Sequence, residues 1–309
     1  MRQDHFKSRH IKINDEVLNA INESSAVVAL ESTIIAHGMP YPQNIETALD
    51  VEEKVRKEGA IPATIAILDG TIHVGLSQNE LELLAGSDKV LKVSLADIPF
   101  VVSRKLHGAT TVASTMHIAE MAGIKFFVTG GIGGVHREAE KTMDISTDLT
   151  EMSKCNVAII SAGVKSILDI GLTLEVLETL GVPVVTVGQN EFPSFYSRQS
   201  NHLSPLRLDT AKEIASMVKC KWELDLPGSV LIANPLPDEF NIPHDEIEKT
   251  ILQILAKAKQ QGISGKAVTP FILKAIAETT GGKSLAANIS LVKNNAMLGA
   301  QIACEFFQK

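Results

Sequence analysis

Short apolar runs alternate with amphipathic segments along most of this chain. Residues 26–30, 124–129, 157–160, 182–187 and 230–233 are continuous, largely apolar and rich in β-branched positions. That is the pattern of strands buried on both faces. Between them, residues 15–22 (capped by Asn14 or Asp15), 44–58 (stopped by Gly59), 110–122, 172–180 and 209–218 read as helices. Asp69-Gly70 between the apolar stretches 63–68 and 71–76 predicts a hairpin, because a type I′ turn needs positive φ at both central residues. Ser77 and Glu80 form a capping-box pair for a helix over 78–85, and residues 90–95 read as a strand that carries Lys92. Three helices follow at 245–259, 270–279 and 284–306. Thr269-Pro270 is the start signal of the second, and Gly281-Gly282 separates it from the third.

Strands alternating with helices predict an α/β fold with a mixed, largely parallel central sheet and a helical C-terminal portion. No linker, repeat or low-complexity tract divides the sequence, so residues 1–309 read as one domain, with residues 1–11 as a flexible arm. Composition narrows the function. The chain has 45% apolar and 21% charged residues, an ordinary globular balance. A net charge of −7 with only 4% aromatics argues against nucleic acid and against an anionic membrane surface. Three cysteines, Cys155, Cys220 and Cys304, are too far apart for a metal motif and odd in number, which fits a reducing compartment. The N-terminal stretch lacks the apolar core of a secretory signal, and no run approaches the roughly 18–20 apolar residues of a membrane span. A cytoplasmic protein is expected.

Ligands of open α/β sheets bind outside the carboxyl ends of the strands. Three features stand there: Glu31 after the 26–30 run, the glycine loop 130–134 followed by His136 and Arg137, and Lys165 after Gly163-Val164. A lysine amine kept neutral by burial is a nucleophile able to form a Schiff base. The plain alternative is a strand-end lysine whose stem snorkels to solvent. A desolvated strand-end carboxylate suits a general acid, and the alternative for Glu31 is a solvent-facing glutamate. The glycine loop matches neither a P-loop nor GxGxxG, so it is an anion cradle or a tight turn. Lys92 is a phosphate counter-charge or an outward strand residue. Asp144-Ile-Ser-Thr-Asp148 offers oxygen ligands for a hard cation, or a helix cap at Ser146 or Thr147. His107, His117, His136 and His202 show no zinc spacing, and His117 reads as structural within its helix.

Longer segments carry a family. ALESTIIAHGMPYPQN, LKVSLADIPFVVS, GATTVASTM, FFVTGGIGGVHR, TMDISTDL, SAGVKSILDIGLTLEVLETLGVPVVTVGQNEFPSFY and LAANISLVKNNAMLGAQIA together resemble pseudouridine-5′-phosphate glycosidases, in order, from about residue 12 onward. Departures are HREAE where HRGAE is expected, Ser161 where cysteine is frequent, and STDL for SADL. The resemblance implies an α/β/α layered fold, a homotrimer, and reversible cleavage of the C–C glycosidic bond of pseudouridine 5′-phosphate to uracil and ribose 5-phosphate. It implies Lys165 as covalent nucleophile, Glu31 as proton donor and Asp144 at a divalent-metal site, usually Mn²⁺. Oxygen ligands accept Mg²⁺ as well. Lys92, Val112, Ser146, Thr147 and Asp148 match substrate-binding positions, and His136 and Asn288 match pocket residues. The residues themselves leave two rivals: a phosphosugar lyase or aldolase using the same lysine, and a silent binding protein that keeps the fold.

Overall fold

A computed structural model of the chain describes residues 10–263 and 268–308. The strands are β1 (Ile11–Ile13), β2 (Val27–Leu30), β3 (Ile61–Leu68), β4 (Thr71–Val74), β5 (Leu91–Val93), β6 (Gly108–Thr110), β7 (Phe126–Val128), β8 (Val135–His136), β9 (Ala158–Ser161), β10 (Leu168–Asp169), β11 (Val184–Val187), β12 (Leu206–Leu208) and β13 (Leu231–Ala233). In the order β3-β2-β7-β9-β13-β11-β12 every neighbouring pair is parallel. The expected continuous apolar runs are the centre of this sheet: β2, β7, β9 and β13 are buried at every position. Parallel strands covered on both faces have no polar side to alternate with.

The hairpin makes the sheet mixed. β3 and β4 pair antiparallel through Asp69 and Gly70, whose φ values of 49° and 74° are those the turn requires. β1 then adds parallel to β4. Ile11 therefore belongs to the sheet and not to an arm; residues 1–9 of that expected arm lie outside the described residues. Where β2 ends beside Thr64, β6 takes over pairing with β3. Ser32 seals the junction. Its hydroxyl donates to the Ile65 carbonyl at 2.7 Å and accepts the Thr110 N–H at 2.9 Å.

The helices are α1 (Asp15–Asn22), α2 (Gln43–Lys57), α3 (Gln78–Gly86), α4 (Ile98–Ser103), α5 (Val112–Met121), α6 (Ala139–Thr142), α7 (Thr147–Met152), α8 (Ile170–Thr179), α9 (Ala211–Glu223), α10 (His244–Gln260), α11 (Val268–Thr279) and α12 (Lys283–Phe307). They sandwich the sheet in an α/β/α arrangement. α12 lies over β2, β7 and β9 between α2 and α9, and α5 packs on β2 and β3 with α7 beside it. A Cβ on Gly299 would stand 2.3 Å from a Val128 methyl, so glycine is what lets α12 settle onto the sheet. Asn14 caps α1, and Ser77 with Glu80 closes the expected capping box of α3. The Thr269-Pro270 start signal falls where side chains lie outside the described residues. No helix among the described residues is long and apolar enough to cross a membrane.

Several boundaries differ from expectation by a few residues, and α9 runs five residues past the expected end at 218; two of the shifts have plain local reasons. The strand expected over 90–95 shortens to β5, because Ser94 and Asp97 form a second capping box that starts a 3₁₀ turn leading into α4. Thr110 is not helical. It closes β6, its hydroxyl donating to the Ile65 carbonyl, and α5 starts only at Val112.

Candidate functional site

Three adjacent parallel strands carry the expected chemistry to one edge. The register sets Leu30 of β2, Val128 of β7 and Ile160 of β9 side by side. Glu31, Thr129 and the Lys165 loop follow directly. Glu31 is buried, and its two carboxylate oxygens accept hydroxyl hydrogen bonds from Thr33 and Thr129. Two cavity lobes meet here. One is lined by Glu31, His37, Gly131, Phe195, Leu273 and Asn288. The other is lined by Thr111, His136, Asp144, Ser146, Thr147 and Asp148. Lys92 and Lys165 line both lobes and so stand at their junction. Lys92 is thus a cavity residue, not an outward strand residue.

The loop that presents Lys165 is held by backbone. Lys165 N–H donates to the Ile132 carbonyl at 3.1 Å, and its own carbonyl accepts from Leu168 at 3.0 Å. Arg137 clamps the next turn. Its guanidinium donates to the carbonyls of Ser166 and Ile167, each at 3.3 Å, and forms a bidentate pair with Glu248 of α10 at 2.6 and 2.9 Å. Removing that fork loosens the Lys165 loop without touching the cavity. Arg137→Ala is expected to lower kcat about tenfold, about 1.4 kcal/mol of barrier, with KM little changed; steady-state kinetics read the split. The same pair sets an acid dependence. Its hydrogen bonds with Arg137 hold the Glu248 carboxyl below the usual carboxylate range, against the opposing pull of burial. A depressed carboxyl contributes stability above its unfolded value and loses it as pH falls through the folded one. Glu248→Gln should therefore lower the melting temperature at neutral pH, and the difference from wild type should shrink as pH falls below the ordinary glutamate range, through the depressed folded value.

The remaining expected residues take different places. Asn288 of α12 is buried and faces the lobe of Glu31. Ser146 is both a cavity residue and the cap of α7, its hydroxyl accepting the Asp148 N–H at 3.2 Å. Asp148 lines the cavity, yet both carboxylate oxygens accept backbone N–H groups, from Ala113 at 2.9 Å and Gly133 at 2.7 Å. It fixes the glycine loop to the start of α5. A Cβ on Gly133 would lie 2.3 Å from the Ser146 hydroxyl, so the glycine there serves close packing. Val112 is the first residue of α5 with its side chain in the core, which leaves its backbone as the only part to offer a ligand.

Asp144 is half exposed in the second lobe, its carboxylate 3.8 Å from His136 Nδ1. Among the described residues no set of three ligating side chains gathers around it. One carboxylate beside two hydroxyls fits a hard cation that takes most of its shell from water and substrate oxygens. Such an ion could be Mn²⁺ or Mg²⁺.

Among the lining residues, His37, Phe195, Leu273 and Thr111 escaped the sequence reading as site members, as did the contacts of Thr33 and Thr129 to Glu31. His37 lies in a π-helical turn, Ile34–Gly38, one residue before its end. Burial and then the Lys92 charge push its imidazole below the usual histidine value, and the Leu91 and Val90 carbonyls oppose them. Its Nε2 is buried without a hydrogen-bond partner among the described residues. The ring is a neutral group with hydrogen-bonding capacity left over at the edge of the first lobe. Glu138, where glycine is expected, adopts a left-handed φ of 63° and pairs with Lys259 of α10 at 3.0 Å.

Comparison with known proteins gives a consistent result. A family model described as Indigoidine synthase A like protein matches residues 16–305. The pseudouridine-5′-phosphate glycosidase of Nocardioides sp. is 57% identical over 296 residues, 96% of each chain. That of Petrotoga mobilis is 56% identical over 297 residues, 96% of this chain and 97% of its own. A prealnumycin C-glycosynthase solved in complex with ribulose 5-phosphate superposes with a TM-score of 0.90 at 37% identity, over 97% of this chain and 98% of that one. An indigoidine synthase A-like protein from Thermotoga maritima superposes with a TM-score of 0.88 at 38% identity, over 96% and 97%.

Proposed function

The chain belongs to the pseudouridine-5′-phosphate glycosidase family, and we propose that it cleaves pseudouridine 5′-phosphate reversibly to uracil and ribose 5-phosphate through a Schiff base on Lys165. The observation that carries this reading is the shared cavity: Glu31 in one lobe, oxygen-rich groups in the other, and Lys165 at their junction.

The bond to be broken explains the residue types. Ordinary glycosidases protonate a leaving oxygen and support the sugar with a second carboxylate. Here the leaving atom is C5 of uracil, and a carbanion does not depart unaided. Glu31 gives its proton to the ribose ring oxygen, and the ring C1′–O bond breaks with its electrons on that oxygen. The Lys165 nitrogen forms a bond to C1′ with its lone pair, and the proton it releases restores an acid in the site. The nitrogen lone pair then pushes out the C1′–C5 bond as C5 takes that proton. Uracil leaves, an iminium remains on Lys165, and water hydrolyses it to ribose 5-phosphate.

The other side chains bind and orient. Lys92 is a counter-charge for the phosphate, and the α5 N-terminus at Val112 is a second anion site. Ser146, Thr147 and His136 face sugar or phosphate oxygens, and Asp148 keeps the glycine loop in place. Asn288 faces the base. Asp144 holds the divalent ion, Mn²⁺ by family resemblance, which when bound would orient water and substrate oxygens. We expect chelation to slow turnover about tenfold or more, with Mn²⁺ restoring it, and Asp144→Ala to be slow and insensitive to both. The family resemblance also leads us to expect a homotrimer in the cytoplasm, and light scattering reads the assembly.

Uracil release from pseudouridine 5′-phosphate, followed by chromatography, tests the activity. No uracil above background rejects it. Sugar-phosphate adducts without uracil release would instead point to a phosphosugar lyase.

A further inference from the structure

α5 and α7 both point their N-termini at the cavity. Their other ends carry a separate cluster. His117 and Glu120 lie one turn apart near the end of α5; Glu151 lies in the last turn of α7, and Cys155 follows it. His117 Nδ1 is 2.9 Å from Glu151 Oε1, and Cys155 Sγ is 3.3 Å from the same oxygen. Ligand atoms from these three side chains all lie within 4.8 Å of one another. Zinc bond lengths of about 2.0 Å to nitrogen and oxygen and 2.3 Å to sulfur place tetrahedral ligand atoms about 3.3–3.7 Å apart, so small side-chain adjustments seat an ion.

Charge points the same way. Glu120 and Glu151 stand in the last turns of two helices, where the macrodipole disfavours an anion, and neither last turn carries a basic residue. Glu151 is buried and so is Cys155, whereas the His117 ring is part exposed and leaves an entry path. Glu120 is itself oriented: its Oε1 accepts the Asn156 N–H at 2.7 Å.

We propose that His117, Glu151 and Cys155, with Glu120 beside them, form a second cation site that takes zinc or a similar borderline transition-metal ion. Nitrogen, oxygen and sulfur donors together suit such an ion better than Mn²⁺ or Mg²⁺. As the sulfur–metal bond forms, the thiol proton passes to solvent. The ion ties α5 to α7 at the ends away from the cavity, so its role is structural.

The test uses the full chain, stripped with chelator, loaded with Zn²⁺ or Co²⁺ and desalted. One more zinc per chain should remain on the wild type than on the double variant His117→Ala/Cys155→Ser, and zinc should raise the melting temperature of the wild type only. With Co²⁺ the wild type should show a thiolate-to-cobalt absorption that Cys155→Ser loses. His117→Ala, altered at a part-exposed position, keeps the test open if Cys155→Ser does not fold; its zinc affinity should fall at least tenfold. Equal zinc content in wild type and double variant, no cobalt–thiolate absorption in the wild type, or absorption that persists in Cys155→Ser overturns the proposal.

Discussion

Lys165→Ala should lower uracil release by at least about 10³-fold, with the fold intact. The nitrogen is the electron source that expels carbon, and Lys92, the other amine at the junction, is occupied as the phosphate counter-charge in this scheme. The loop keeps its shape in the variant, because backbone hydrogen bonds and the Arg137 clamp hold it. Lys165→Arg separates chemistry from charge. A guanidinium stays protonated and forms no imine, yet it keeps a cation at the junction of the lobes. On the amine account Arg is as inactive as Ala. If Lys165 served only as a phosphate counter-charge, Arg would restore much of kcat and the loss would appear in KM.

Glu31→Gln is the second large effect. Positioned proton transfer contributes about 10²–10⁴-fold, and the amide cannot supply the proton that opens the ribose ring. Glutamine fills the same space, and the Thr33 and Thr129 hydroxyls can rotate to meet its oxygen and its NH₂ group. The melting temperature should therefore hold while kcat falls, as thermal unfolding and steady-state rates on the same preparation would show. A Glu31→Gln enzyme with unchanged kcat would remove the acid from the scheme.

The sheet centre was legible because its strands are buried on both faces and read as unbroken apolar runs. Five short strands were not. β1, β6, β8, β10 and β12 have two or three residues each, and their pairing comes from distant partners. The π-helical turn that carries His37 follows β2 within an apolar Ile34-Ile35-Ala36 stretch, which has no cap or periodicity to mark it. Within the site, Glu31, Lys92 and Lys165 could be picked out by residue type and position at strand ends. The Thr129 contact to Glu31 joins residues 98 apart and depends on the β2–β7 register, which sequence does not reveal. The Asp144–Asp148 segment offered two readings, an oxygen-ligand set and a capped helix. Ser146 and Asp148 hold backbone while the Asp144 carboxylate lies in the cavity beside His136, so the segment divides between them. His117 read as structural because it lies within a helix; Glu151 on α7 and Cys155 just beyond it are brought to it only by the fold.

The central claim is a covalent bond between the Lys165 nitrogen and C1′ of the sugar. Borohydride reduction during turnover, followed by proteolysis and mass spectrometry, reads it directly. The account predicts one reduced ribose-phosphate adduct on the peptide containing Lys165, present with pseudouridine 5′-phosphate and with ribose 5-phosphate and lost in Lys165→Ala. An active enzyme that accumulates no adduct, or carries it on another residue, would contradict it.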